Sequence, residues 1–308
     1  MTVFLKDEPM AIDIPKTHWL QYIIPKKIYP FIQLMRLDRP IGAWLLLFPC
    51  WWGLALAGNA FSFKNYLLFA LGTFVMRGAG CTYNDWVDRK LDAKVLRTST
   101  RPLAAGTLTS SQALLALMFQ LFFAFLILMI LSLRALPFAV AALGLITFYP
   151  WAKRFTYWPQ VFLGLTFNWG ALMAWFVEKE TLDLDTVLLY GAGFFWTLGY
   201  DTIYAHQDKE DDLLIGIKST ALRLKEKTRF FLGIVYGLVV ALFVVIGLRF
   251  SFSALYFLFI LGVSGHFLWQ GVSTNFDNPS DCLKKFKANQ WVGWLILLAI
   301  VLEKIWMA

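Results

Sequence analysis

The chain has 308 residues, of which 59% are hydrophobic, 18% aromatic and only 16% charged. A soluble domain carries about 25% charged residues, so this composition excludes an ordinary water-soluble globule. The net charge of +8 comes with no nucleic-acid-binding motif, and lysine and arginine at a membrane edge account for it.

In chain order, residues 1–28 read as a mobile lead-in. Asp7, Glu8 and Asp13 interrupt them, against a cleavable signal peptide. Residues 29–39 read as a short interfacial helix ending at Pro40, with Arg36, Asp38 and Arg39 gathered at its end. Apolar runs near the length of a bilayer crossing then recur at 40–58, 65–83, 111–131, 135–150, 159–177, 186–204, 230–248, 252–271 and 290–307. The expected fold is therefore all-α and integral to the membrane: about nine transmembrane helices around a central cavity, a single domain over 29–308, and a lid on the cytoplasmic side. With the N-terminus in the cytoplasm, 22 of the 28 lysines and arginines fall on that side and five on the other. That asymmetry sets the orientation. Cys50, Cys81 and Cys282 show neither ligand spacing nor a disulfide framework, and read as small buried residues.

The largest expected loops, 84–110 and 205–229, carry the chemistry. The first opens on NDWVDRKLD, Asn84 to Asp92. On a helix advancing about 100° per residue, Asp88, Asp92 and Asp85 lie about 40°, 80° and 100° from Asn84, so all four share one face. Carboxylates that close repel, and a hard divalent cation with oxygen ligands is the simplest partner. The plainer reading is a solvated acidic loop flanked by Arg89 and Lys90. A second stretch, YDTIYAHQDKEDD, runs from Tyr200 to Asp212. On a continuous helix Asp208 and Asp212 lie within about 20° of Asp201, with Tyr204 beside them. Acids at a membrane edge are costly and so are functional candidates. Two such clusters facing each other make a metal clamp of the kind that holds a diphosphate.

Cations accompany both clusters. Arg97 and Arg101 follow the first, Lys218 the second, and Lys153 and Arg154 follow the fourth apolar run. Arginine forks suit phosphate and carboxylate, although topology alone also places basic residues here. Arg77 lies inside the second span, two turns before Asn84, where topology explains it less well. His206 reads as a polar residue at a helix edge or as a ligand. Asn168, in mid-membrane, either lines the cavity or bridges two helices.

These residues resemble the UbiA superfamily of membrane prenyltransferases. Asn84, Asp85, Asp88 and Asp92 match its NDxxDxxxD motif, and Asp208 and Asp212 its second DxxxD motif. Within the superfamily the resemblance is strongest to the 4-hydroxybenzoate polyprenyltransferases of ubiquinone synthesis. It runs through Arg36–Pro40, Gly80–Leu103, Tyr149–Gln160 and Tyr200–Thr220. It implies Mg²⁺ held by the two acidic motifs, with Asp88, Asp92, Asp208 and Asp212 as the catalytic acids. It also implies a polyprenyl diphosphate and 4-hydroxybenzoate as substrates. The diphosphate would meet Arg77, Arg97, Arg101 and Lys218. The aromatic acid would meet Arg154, with Tyr204, Asp201 and Asn168 around it. A bacterial cytoplasmic membrane is the expected location. A prenyltransferase for another aromatic acceptor and a cation-coupled transporter are the competing readings. Acids clustered at one edge beside arginines suit a bound phosphate better than a midplane ion site.

Overall fold

The computed structural model describes residues 19–58, 62–95 and 97–307. Most of the expected lead-in, residues 1–18, lies outside the described residues. Residues Leu20–Ile23 form one helical turn, α1. Helix α2 spans Tyr29–Leu34 with Pro30 in its first turn, where the missing N–H costs nothing. It is shorter than the interfacial helix expected over 29–39. The chain then turns through Arg36, whose φ of 60° no helix accommodates.

Nine helices of 17 to 30 residues follow among the described residues, at the nine expected positions. They are α3 (Ile41–Ala57), α4 (Phe63–Asp92), α5 (Ser110–Leu131), α6 (Leu136–Phe155), α7 (Pro159–Lys179), α8 (Leu184–Ala205), α11 (Thr228–Arg249), α12 (Ala254–Ser273) and α13 (Pro279–Met307). Two short helices, α9 (Lys209–Ile215) and α10 (Thr220–Leu224), lie between α8 and α11. Among the described residues, six helices are long and apolar enough to cross a membrane, namely α5, α6, α7, α11, α12 and α13. The chain is a multi-pass, all-helical membrane protein. The three helices outside that set differ for local reasons. Helix α3 has only 17 residues, and α4 and α8 end in the two acidic stretches.

Local chemistry marks the helix ends. Thr109 and Gln112 form a reciprocal capping box that opens α5, and Asp183 and Thr186 do the same for α8. Pro159 starts α7, and Gly216, at φ 73°, ends α9 in the left-handed conformation that glycine tolerates best.

Helix α3 packs against α4, α7, α8 and α13, while α11 joins α8 to α12 and α12 meets α13. Lipid tails are as apolar as leucine, so fit and hydrogen bonds rather than exclusion of water hold such helices together. The fit is tight on this side. Trp52, Trp196, Phe48 and Phe243 are fully buried. Trp52 Nε1 donates to Gly293 O at 3.1 Å and Trp196 Nε1 to Asn289 Oδ1 at 2.9 Å. A Cβ on Gly293 would sit 2.2 Å from the Phe48 ring, so glycine is what lets α13 approach α3. Helices α5 and α6 are the outermost, with only 11% and 17% of their apolar windows buried.

Candidate active site

Helix α4 runs unbroken through Asp92, so the first acidic stretch is helical where a loop was expected over 84–110. Asp85, Asp88 and Asp92 are all buried. Buried like charges need partners, and cations supply them. Asp85 Oδ1 accepts from Arg36 Nη2 at 2.8 Å and from Arg101 Nη1 at 3.3 Å. Arg101 also donates to both oxygens of Asp92, at 3.1 and 3.0 Å. Asp88 is clamped from α6 instead, by Lys153 Nζ at 2.5 Å and Arg154 Nη2 at 3.2 Å.

The second stretch departs from expectation. Helix α8 ends at Ala205, residues 206–208 turn, and α9 starts afresh at Lys209. Asp208 is therefore aimed by the turn rather than by a continuous helix. Arg97 grips it with Nε at 2.6 Å and Nη2 at 2.7 Å, and Nη1 lies 3.4 Å from the Tyr204 hydroxyl. Burial first, then the Asp208 charge, push the Asp212 carboxyl up to about 7. His206 plays no part in this cluster. It is buried with Nε2 3.1 Å from Thr228 Oγ1 and packs on Phe276. Its desolvation, with Lys209 nearby, lowers it to about 4.

Two cavities meet at these residues. The larger, about 550 Å³, is apolar along most of its length, where α3 to α7 line it with side chains such as Leu68, Phe69, Ile127, Leu143 and Met173. Its polar end carries Arg36, Arg39, Arg77, Asp85, Gln207 and Lys287. The smaller, about 200 Å³, is polar and lined by Asp92, Lys153, Asp208, Asp211, Asp212, Lys218 and Ser219. Asn84, Arg97, Arg101, Tyr149, Asp201 and Tyr204 line both, so they form a common wall.

The structure thus brings together Asn84, Asp85, Asp92, Arg97, Arg101, Asp201, Tyr204, Asp208, Asp212 and Lys218. Among the described residues no three acids converge as a ready-made ion site. Arg77 lies in the large cavity, its guanidinium 5.1 Å from the centre of the Phe167 ring, and among the described residues no carboxylate forms an ion pair with it. A Cβ on Gly42 would lie 2.7 Å from that guanidinium, so glycine in α3 makes the room for it.

Three expected placements are corrected. Asp88, expected as a catalytic acid and metal ligand, lines neither cavity and is fully buried against Lys153 and Arg154. Arg154 lines neither cavity: it stacks on Trp151 at 4.3 Å and reaches Asp88 from outside, while its neighbour Lys153 lines the smaller cavity. One residue along a helix is a 100° rotation, which decides between inside and outside. Asn168 also lines neither cavity. It is fully buried and donates to Gly164 O and Thr197 Oγ1, both at 2.8 Å, joining α7 to α8. Arg36, Arg39, Tyr149, Gln207 and Lys287 are site residues beyond the expected set, and Lys153, expected only as one of the accompanying cations, joins them. Arg36 and Arg39 had a signal, two arginines bracketing an acid before Pro40, but the turn that aims them is visible only in three dimensions.

Known proteins share this arrangement of helices. The chain is 45% identical over 286 residues to a Dictyostelium discoideum protein named 4-hydroxybenzoate polyprenyltransferase, mitochondrial, covering 91% of this chain and 62% of that protein. It is 42% identical to the human protein of the same name, covering 92% and 77%. An Aedes aegypti relative is 46% identical, covering 89% and 63%, so the chain spans a little under two thirds of the first and third of these relatives. All three are mitochondrial, and nothing in them favours the expected bacterial membrane. Among solved structures, a UbiA homologue from Aeropyrum pernix K1 superposes with a TM-score of 0.71 at 22% identity, covering 84% of this chain and 97% of that one. One from Archaeoglobus fulgidus, bound to GPP and Mg²⁺, superposes with a TM-score of 0.69 at 17% identity, covering 88% and 99%. At such identities these two speak for the fold alone. Residues 46–300 match the UbiA prenyltransferase family, and with these relatives the match makes the chain a member of that family.

Proposed function

We propose that the protein is a 4-hydroxybenzoate polyprenyltransferase of ubiquinone biosynthesis. It moves a polyprenyl group from polyprenyl diphosphate to the ring carbon ortho to the hydroxyl of 4-hydroxybenzoate and releases pyrophosphate. The observation that carries this reading is the common wall. An apolar channel of about 550 Å³ ends on the same arginines and acids that line a polar pocket of about 200 Å³. A molecule with a long hydrocarbon tail and a highly charged head fits that pair of spaces. The names of the relatives support the choice of acceptor.

The donor set fits Mg²⁺. It consists of hard oxygens from two elements, Asn84, Asp85 and Asp92 on one side and Asp208 and Asp212 on the other, while Asp88 stays paired with Lys153 and Arg154. Asp85 Oδ2 is buried without a hydrogen bond, and a cation beside Asp212 would offset the burial and the Asp208 charge that raise it. When bound, the ion neutralises diphosphate charge and makes pyrophosphate a better leaving group. Arg97, Arg101 and Lys218 hold the head by charge-assisted hydrogen bonds once it competes with their present partners. The apolar channel holds the tail and keeps water from the allylic carbon. Faces of Tyr149, Tyr204 and Phe167 line the route and stabilise positive charge developing there. Arg77, at the polar end of the large cavity and without an ion-pair partner among the described residues, takes the carboxylate of the aromatic acid in this reading, in preference to Arg154, which lines neither cavity.

We read all nine long helices as crossings, and residues 29–308 as one domain. In this reading the acid-lined end faces the side that carries most of the positive charge, and the segments 97–109 and 206–227, which supply Arg97, Arg101, Asp208 and Lys218 to the polar pocket, act as its lid. The experiment incubates the purified protein in detergent with Mg²⁺, a polyprenyl diphosphate and 4-hydroxybenzoate. Prenylated 4-hydroxybenzoate and an equal amount of pyrophosphate are expected. Absence of the prenylated acid, with the protein folded, overturns the reading.

A further inference from the structure

Prenylation at carbon leaves a proton to be removed. The C–O bond of the allylic diphosphate breaks and pyrophosphate leaves with the electron pair. The ring carbon then forms the new C–C bond and becomes tetrahedral, bearing both the prenyl group and its original hydrogen. A base must take that hydrogen as a proton, and its C–H electrons restore the aromatic ring. Most acids near the reaction are already engaged. Asp85 and Asp92 accept from arginines, Asp88 from Lys153 and Arg154, and Asp208 from Arg97. Asp211 and Asp212 line the polar pocket only. Asp201 is different. Its side chain makes no hydrogen bond or ion pair among the described residues, it is not fully buried, and it lines both cavities. It stands on α8 one turn before Tyr204, and it shares the lining of the large cavity with Arg77.

We propose that Asp201 is the catalytic base that takes the ring proton and passes it to the polar pocket. The proposal rests on the prenyltransferase reading above. A carboxylate facing the apolar channel can reach a ring anchored there. Because the same side chain also faces the polar pocket, the proton has an exit toward water or the departing pyrophosphate that avoids the channel. Tyr149 and Tyr204 share the wall, but neutral phenols are weak bases, and Tyr204 already lies beside Arg97.

The test compares wild type, Asp201→Asn and Asp201→Glu in detergent with Mg²⁺ and a polyprenyl diphosphate. The acceptor is 4-hydroxybenzoate, either unlabelled or deuterated at both carbons ortho to the hydroxyl. Asp201→Asn is expected to lower kcat by roughly 10²- to 10⁴-fold, the range for loss of a general base, with KM for the diphosphate little changed. Its residual turnover should show a several-fold deuterium effect that wild type lacks, because proton removal has become the slow step. Asp201→Glu should recover part of the rate. A fall in kcat without a deuterium effect, or full activity in Asp201→Asn, overturns the assignment. If wild type itself makes no prenylated acid, the reading of function fails first and takes this proposal with it.

Discussion

One half of the molecule is solid and the other hollow. Helices α8, α11, α12 and α13 close on α3 around Trp52, Trp196 and Phe243. Polar groups there are consumed in pairs: Tyr236 donates to Gln270 Oε1 at 2.7 Å and Trp196 to Asn289 at 2.9 Å. Helices α4 to α7 instead stand around an open channel, and α5 and α6 leave most of their surface to lipid. The same kinds of residue fill both halves, so apolarity does not distinguish them. What differs is whether opposing side chains interdigitate. A tail-binding enzyme has to leave dispersion contacts unmade along the tail's path, and the solid half offsets that loss. Stability and function should therefore respond to different substitutions.

The largest expected effect breaks the solid half. Trp52→Ala removes a buried indole and its hydrogen bond to Gly293, and should cost about 3–5 kcal/mol. Denaturant unfolding in detergent measures this, and the KM values of the folded fraction should be unchanged. Next, Asp208→Asn should lower kcat by about 10²- to 10³-fold, measured as turnover of the folded protein with saturating donor and acceptor. EDTA should abolish turnover in the wild type, and retention of activity in EDTA would refute a divalent ion.

A third comparison separates the two arginines. If Arg77 takes the aromatic carboxylate, Arg77→Ala should weaken direct binding of 4-hydroxybenzoate by roughly 10- to 150-fold, the equivalent of about 1.5–3 kcal/mol. Arg154→Ala should change it by less than about threefold, the size of a weak exposed ion pair. The reverse order would return the role to Arg154. Narrowing the hollow half should have a smaller effect. Ala139→Phe places a ring in the channel wall on α6 and should lower kcat/KM for a long-tailed donor about 10-fold relative to a short one.

The smallest effect concerns pH. Asp212 ordinarily ionises near 3.8 but is raised to about 7 in the folded protein. Between these values the folded state binds the extra proton, so this group's contribution to stability is present at low pH and is lost as pH rises toward 7. In unfolding curves at pH 5 and pH 8 without added metal, Asp212→Asn should show a smaller difference than the wild type. An equal difference in both proteins would mean that Asp212 does not sense this burial.

Sequence alone determined where the long helices lie, because a bilayer demands a contiguous apolar run and each run reports on itself. It also determined the two acidic stretches, since Asn84, Asp85, Asp88 and Asp92 are brought together by helix geometry over nine residues. Local order failed where the backbone bends. A turn at 206–208 separates α8 from α9, and no periodicity announces it. Tertiary structure alone decided the partnerships. Arg36 reaches Asp85 across 49 residues, Arg97 reaches Asp208 across 111, and Asn168 spends its amide on Thr197 instead of a cavity. It also chose Lys153 over Arg154 for the polar pocket and left Asp201 unclaimed. Spacing along one helix states which face a charge is on. Only the packing of the other helices states what that face meets, and the pairing energy of a buried charge depends on that meeting.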